Sequence, residues 1–357
     1  MAHISQVTPE PLRLELKSAL RWGKGSSLDR LEHVLVKVET DTGHAGIAEA
    51  PARPTIYGET TASIETIIRD YLAPKLVGLE LTNTSDIQKA LHSVAGNLAA
   101  KGALDIALCE ARAQAEGKTL FEAWRGERER VRVSYILGLG ELEDLLEEAR
   151  QVFDQGVSVF KVKIGRDRAH DEKVIEALDV EFAGEDIILY ADANEGLEPA
   201  TAARDLARLA ELGVAYVEEP LPVELLRERA ALKAEGILPI IADDSCFTLR
   251  DLIRELVFDT FDILNIKTAR TGFTTSAEML RSAQSEGKGV MVGSQASSGL
   301  GTYHAALFAS QAGVTHPSEL SFPLKLSEDS TSPLPYEKGY LDVSKLSEMK
   351  LKVTEDG

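Results

Sequence analysis

The residues best equipped for chemistry are charged side chains at nearly constant spacing. Lys163, Asp192, Glu218, Asp243 and Lys267 follow one another at steps of 29, 26, 25 and 24 residues, and Lys161 stands two residues before the first. A single carboxylate of this kind is usually a solvated helix cap. Three in succession, with lysines on both sides, are a different case, because three anions brought to one point repel unless a cation lies among them. Oxygen ligands without histidine or cysteine suit Mg²⁺, with Mn²⁺ as a substitute. The chemistry such a set serves is removal of the proton α to a carboxylate. That proton is weakly acidic, since its loss leaves a doubly charged enediolate, and a divalent ion stabilises the added charge. A lysine acts as base only when neutral, and neighbouring positive charge with partial desolvation favours the neutral form. Lys161 beside Lys163 supplies that neighbouring charge.

Each of these residues closes a short apolar run. In FKVKIG (160–165), Phe160, Val162 and Ile164 share one face of a strand, and the two lysines share the other with Val159. From about residue 130 the chain alternates such runs with helical patterns: 131–138, 158–165, 187–194, 214–220, 239–245, 262–267, 289–295 and a weak eighth, 314–320. Between the first two, Leu142, Leu145, Leu146, Ala149, Val152 and Phe153 fall on one helical face. Eight strand–helix units of about 25 residues predict a parallel βα barrel, whose strands present their C-terminal ends at one mouth. An open doubly wound sheet would need a switch point and usually a glycine-rich phosphate turn, and neither is visible. The first 125 residues differ. They alternate as antiparallel strands and continue into helices, which predicts an α+β domain ahead of the barrel. The tail 325–357 alternates again and is expected to return to that domain.

The bulk composition agrees with a large soluble enzyme. The 357 residues carry a net charge of −19, which argues against nucleic acid and anionic membranes as partners. The two cysteines, Cys109 and Cys246, match no zinc or redox spacing, so a reducing, cytoplasmic setting is the default. The N-terminal residues lack a signal-peptide core, and no run approaches the length of a membrane span. GLGELE (138–143) lacks the last glycine of a dinucleotide fingerprint, and GKGSS (23–27) lacks the phosphate-loop spacing.

KVK at 161–163, DAN at 192–194, EEP at 218–220, ADDS at 242–245 and NIK at 265–267 resemble the enolase superfamily, in its muconate-lactonizing-enzyme subgroup. The resemblance spans nearly the whole chain. It implies a modified TIM barrel, (β/α)₇β, over 126–324, with an α+β capping domain over 1–125 completed by 325–357. It implies Asp192, Glu218 and Asp243 as Mg²⁺ ligands, and Lys163 and Lys267 as acid–base groups on opposite faces of the substrate. Lys161 would assist near the substrate carboxylate, and Glu219 and Asp244 would support the ligands or point away. The mandelate-racemase subgroup relies on a histidine on strand seven, and GVMVGSQ has none. Other positions depart from the subgroup. Asp244 stands where glutamate is commoner, Ser297 stands where many relatives have glutamate, and HPSEL lacks the Asp-x-Asp of dipeptide epimerases.

The expected activity is racemisation or epimerisation of an amino-acid derivative on a small carboxylate substrate, by a homo-oligomer. The alternatives are cycloisomerisation of a muconate-like diacid, then dehydration, then a non-enzymatic metal-binding scaffold. Asn194, Gln295 and Ser297 are candidates to touch substrate from the strand ends, and Arg270 and Phe273 to line the pocket. Two cap segments, 21–27 and 52–61, read as lids, with Trp22, Lys24, Arg53 and Tyr57 as candidate contacts.

Overall fold

The computed structural model describes residues 1–22 and 26–352. Lys24, one of the candidate lid contacts, lies outside the described residues. The chain opens with a three-stranded antiparallel sheet of β1 (Ile4–Trp22), β2 (Ser26–Thr40) and β3 (Ala45–Pro51). One face of β2 is apolar, with Val34, Val36 and Val38 fully buried, as period-two alternation requires. Against that sheet packs the helix Leu98–Ala115, rich in buried alanines. The approach is so close that a Cβ at Gly46 would fall 1.9 Å from the Ala107 carbonyl oxygen.

The run predicted as barrel strand one divides in two. β4 (Arg130–Arg132) leaves the barrel, and β5 (Tyr135–Leu137) enters it. The seven-stranded parallel sheet then follows chain order: β5, β6 (Val159–Lys163), β7 (Ile188–Asp192), β8 (Val214–Glu218), β9 (Ile240–Ala242), β10 (Ile263–Ile266) and β11 (Gly289–Val292). The eighth run forms no strand of its own, and Pro317 within it supplies no N–H. It still bridges the gap. Thr315 N donates to Val290 O and Glu319 N to Val292 O, while on the other side Ser318 N donates to Arg132 O and Ser134 N to Ser318 O. The result is a modified TIM barrel with seven helix-linked strands and an irregular eighth stave, joined to an N-terminal domain. The tail forms β12 (Tyr336–Glu337) and β13 (Tyr340–Asp342), and β13 pairs with β4 rather than with the cap sheet. Among the described residues the tail meets the cap sheet at the bridge of Leu16 to Leu326, where Ser327 N donates to Glu15 O and Leu326 packs with Leu16, Leu20 and Leu31.

Inside the barrel, Val159, Tyr190, Tyr216, Ile241, Ile263 and Met291 form an apolar plug. Val159 sets the inward face of β6, so Lys161 and Lys163 also point inward, one and two layers nearer the mouth. Outside, Phe160 stacks on Phe182 at 5.4 Å, and the helix Leu142–Phe153 turns Leu145, Ala149 and Val152 onto the barrel.

Cap and barrel meet closely at Gly272. The helix Thr268–Ser285 breaks at Gly272, with φ 63° and ψ −172°, a conformation essentially restricted to glycine. Asp105 of the cap fills the break: its Oδ2 accepts from Thr274 N at 2.9 Å, and its Oδ1 from Gln88 Nε2 at 2.8 Å. A Cβ on Gly272 would meet Asp105 at 2.5 Å. Gly272→Ala is therefore expected to destabilise the protein by about 1–3 kcal/mol or more in urea unfolding, from strain and collision together. An unchanged midpoint would show that the break carries no strain.

Candidate active site

The strand ends open into a cavity of about 640 Å³, within the range of small-molecule sites. Lys163 and Asp192 are register partners on β6 and β7, and Asp192 and Glu218 are partners on β7 and β8. Asp243 follows β9, and Lys267 follows β10 as the residue before the next helix. Strand order places β6 and β10 four staves apart, on opposite sides of an eight-stave ring. Lys161, Lys163, Asp192, Asp243 and Lys267 all line the cavity, and Glu218 lies beneath it, fully buried.

Lys161 is 2% exposed and sits among three carboxylates, 2.9 Å from Asp192 Oδ2, 2.7 Å from Glu218 Oε1 and 2.6 Å from Glu319 Oε1. Burial opposes its charge, but Asp192, Glu218 and Glu319 outweigh burial and raise its pKa well above the ordinary value. Lys161 is thus a firmly held cation. Lys163 Nζ donates to Asp192 Oδ2 at 2.5 Å and to Asn194 Oδ1 at 2.9 Å. Lys267 Nζ donates to Asp243 Oδ2, and Arg270 Nη2 donates to the Asp243 carbonyl oxygen at 2.8 Å.

Burial pushes Asp192 upward, yet Lys161 and Lys163 prevail and hold it below the usual carboxylate range. Lys267 and Arg270 do the same for Asp243. Glu218 goes the other way. Burial drives it well above its ordinary value, and Lys161 offsets only part of that. Burial raises Asp244 to about 6, with help from the charge of Asp243, and Asp244 lines the cavity instead of pointing away. Glu219 is the supporting carboxylate. It accepts from Asp243 N at 2.7 Å and from Ser245 Oγ at 2.5 Å, with Arg229 at 3.8 Å.

Among the described residues, no three His, Cys, Asp or Glu side chains already form a metal cage. Asp192 and Glu218 gather instead with Glu319 around the Lys161 ammonium, while Asp243 pairs with Lys267. The donor set nevertheless fits a hard divalent ion: its oxygens come from carboxylates at consecutive strand ends, and Asp243 Oδ1 is buried without a hydrogen bond. Arg270 stands 3.1 Å from that oxygen but out of hydrogen-bond alignment.

The remaining candidates separate. Asn194, Gln295, Trp22 and Arg53 line the cavity; Ser297 is buried behind its wall. Tyr57 stands behind Thr55 and Ile56, edge-on to Phe247 at 5.8 Å. Phe273 belongs to the core, stacked with Phe308, because the Gly272 break turns it away from the mouth. The segments read as mobile lids are anchored where described. Leu139 N donates to Arg21 O at 2.8 Å, and Arg166 Nη2 to Trp22 O at 3.2 Å, so the β1–β2 hairpin extends over the mouth as paired strands.

Glu319 and Phe247 line the cavity and were not among the site residues proposed from the sequence. Glu319 lies one residue before the end of the weak eighth run, and strand-end logic applied there would have found it. Phe247 carries the Arg270 guanidinium 4.5 Å above its ring. Backbone strain also marks the site. Asn194, Glu195, Glu219 and Ala296 have positive φ at the strand ends, where strain commonly accompanies function.

A charged, lysine-flanked carboxylate cluster at the mouth of a capped βα barrel defines a class of enzyme. Residues 144–347 match the family described as enolase C-terminal domain-like, and residues 25–123 match the mandelate racemase / muconate lactonizing enzyme N-terminal domain. The chain is 31% identical to the L-Ala-D/L-Glu epimerase of Bacillus subtilis, across 89% of this chain and 87% of that one. It is 26% identical to the N-succinyl-L-Arg/Lys racemase of Bacillus cereus, across 97% and 94%. The structure of a muconate lactonizing enzyme from Mycobacterium smegmatis, complexed with muconolactone, is 33% identical and superposes with a TM-score of 0.91 over 98% and 97% of the two chains. The chain belongs to the enolase superfamily, in its muconate-lactonizing-enzyme subgroup, and is an isomerase of that superfamily.

Proposed function

We propose that the protein catalyses Mg²⁺-dependent 1,1-proton transfer at the carbon α to a carboxylate, racemising or epimerising an amino-acid derivative. The observation that carries this reading is the pair of lysines, Lys163 and Lys267, on opposite staves of one mouth with the carboxylates between them. One lysine removes the α-proton from one face, and the other delivers a proton to the opposite face. Asp192, Glu218 and Asp243 would hold the metal. Bound there, the ion supplies positive charge against the negative charge that grows on the substrate carboxylate as the proton leaves. Lys161 adds a fixed cation beside the same carboxylate. Glu219 keeps Asp243 in place through its backbone N–H.

Cycloisomerisation of an unsaturated diacid is the second reading, favoured by the 33% identity to the Mycobacterium smegmatis enzyme. One test separates them. The protein is incubated with Mg²⁺ in D₂O with N-acylated amino acids, dipeptides and muconates, and α-proton signals are followed by NMR. The expected result is exchange without change of constitution for at least one amino-acid derivative, stopped by EDTA and restored by Mg²⁺ or Mn²⁺. Conversion of a muconate to a lactone, with every amino-acid derivative inert, would favour the second reading. Absence of both exchange and lactonisation, with every acid, would overturn both readings.

A further inference from the structure

A second cavity, of about 460 Å³, opens where cap, barrel and tail meet, a volume within the range of small-molecule sites. Among the described residues it shares no lining residue with the barrel mouth. Ile47 of β3 and Glu110 of the helix Leu98–Ala115 form its cap side. Leu300, Tyr303 and His304 enter from the helix Gly299–Ala309, which follows β11. Phe121 of the cap closes it together with Leu346 and Met349 of the tail. Most of this wall is hydrocarbon or aromatic, which suits an apolar body.

Three polar groups interrupt the wall. Glu110 Oε2 accepts from Ile47 N at 2.8 Å, the one hydrogen bond to this carboxylate among the described residues. No cation pairs with it there, and burial pushes it up to about 7. Tyr303 is close enough that the Glu110 charge adds to burial in raising its pKa, and its hydroxyl has no hydrogen-bond partner among the described residues. His304 is 2% exposed and lines the cavity, and neither of its ring nitrogens has a partner among the described residues. The ring is held edge-on to Phe273 at 6.1 Å and against Tyr303 at 5.4 Å. Burial lowers its pKa to about 4, so it is neutral and keeps one nitrogen as an acceptor. The one cation in the described lining, Lys118, has a side chain 55% exposed and paired with Glu116 at 3.7 Å. Acceptors therefore predominate: a carboxylate oxygen, a phenol oxygen and an imidazole nitrogen. A primary ammonium brings three donors and no acceptor, and the net charge of −19 favours a cation on approach.

We infer that this cavity is a second ligand site that takes a primary amine with an apolar body, its ammonium received by Glu110, Tyr303 and His304 and its hydrocarbon by Phe121, Leu300 and Leu346. The inference stands independently of the α-proton transfer reading, since it uses no residue of the barrel mouth.

n-Hexylamine and 1-hexanol share one alkyl chain and differ in the head group. Binding of each to the Mg²⁺-loaded protein is measured by calorimetry at pH 8. The expected result is a preference of roughly tenfold or more for the amine. Glu110→Gln keeps an acceptor for the Ile47 N–H and is expected to erase most of that preference while leaving 1-hexanol binding unchanged. Tyr303→Phe should weaken it in part. Should the glutamine variant fail to fold, a crystal structure of the wild-type protein with n-hexylamine carries the test, and the amine nitrogen is expected within hydrogen-bond distance of Glu110. Equal affinities in the wild-type protein, equal failure to bind included, would overturn the inference. So would a full preference retained by Glu110→Gln, or an amine bound at the barrel mouth alone.

Discussion

Lys163→Ala and Lys267→Ala are each expected to lower racemisation by about 10³-fold or more, at the upper end of what a positioned acid–base group contributes. Each removes one of two opposed groups, so inversion at the α-carbon fails in both variants although the metal ligands remain. Neither should unfold the protein. Lys163 and Lys267 lie at the cavity wall, and each loses one paired carboxylate, Asp192 or Asp243, that retains another cationic neighbour. Chiral chromatography of the reaction mixture measures the effect, with circular dichroism as the control. A variant racemising within tenfold of the wild type would remove that lysine from the mechanism.

Lys161→Met is expected to act on stability more than any other single change at the site. The ammonium is the shared partner of Asp192, Glu218 and Glu319, all nearly inaccessible to water. Removing one partner of a buried ionic cluster typically costs about 3–5 kcal/mol, because the charges left behind stay desolvated. Methionine fills much of the volume, so the loss is electrostatic. Its pH dependence has a definite sign. Without Lys161, burial raises the folded-state pKa of the orphaned carboxyls above the unfolded value, so the folded variant binds protons that the unfolded chain releases. The deficit should therefore be largest near pH 8 and shrink as pH falls towards 5. Mg²⁺ should restore part of the loss, since it binds the folded state alone. Urea unfolding in EDTA and in Mg²⁺, at pH 5 and pH 8, reads all three effects. Wild-type stability in EDTA at pH 8 would contradict the electrostatic account.

The sequence disclosed most of this site because the barrel imposes a rule. Parallel strands linked by helices bring their C-terminal ends to one rim, so charged residues spaced by one unit converge. That rule located Lys161, Lys163, Asp192, Asp243 and Lys267 on the cavity wall and Glu218 beneath it. It failed where the chain departs from regular strand. Glu319 lies near the end of a run interrupted by Pro317, which pairs through isolated bonds and gives only a weak strand signal. After β11, alternation would have turned Gln295 and Ser297 the same way, but Ala296 takes a positive φ and breaks the alternation. Gln295 faces the cavity and Ser297 does not. The Gly272 break similarly removes Phe273 from the rim, through a backbone conformation that no side-chain pattern reports. The 21–27 segment read as a lid from its glycines, and the anchoring of its strand ends by Leu139 and Arg166 is a tertiary contact no local pattern contains. The charge state of Lys161 was also beyond reach. A lysine stands two residues on in the sequence, but its neighbours in space are three carboxylates.

The central claim is that Lys163 and Lys267 address opposite faces of one α-carbon. It is tested most directly by exchanging each enantiomer of the substrate separately in D₂O with the two single-alanine variants. The account predicts a reciprocal pattern. Each variant exchanges the α-proton of one enantiomer without inverting it and leaves the other untouched, and the enantiomer that exchanges differs between the two variants. Exchange of both enantiomers by either variant, or of the same enantiomer by both, would contradict it.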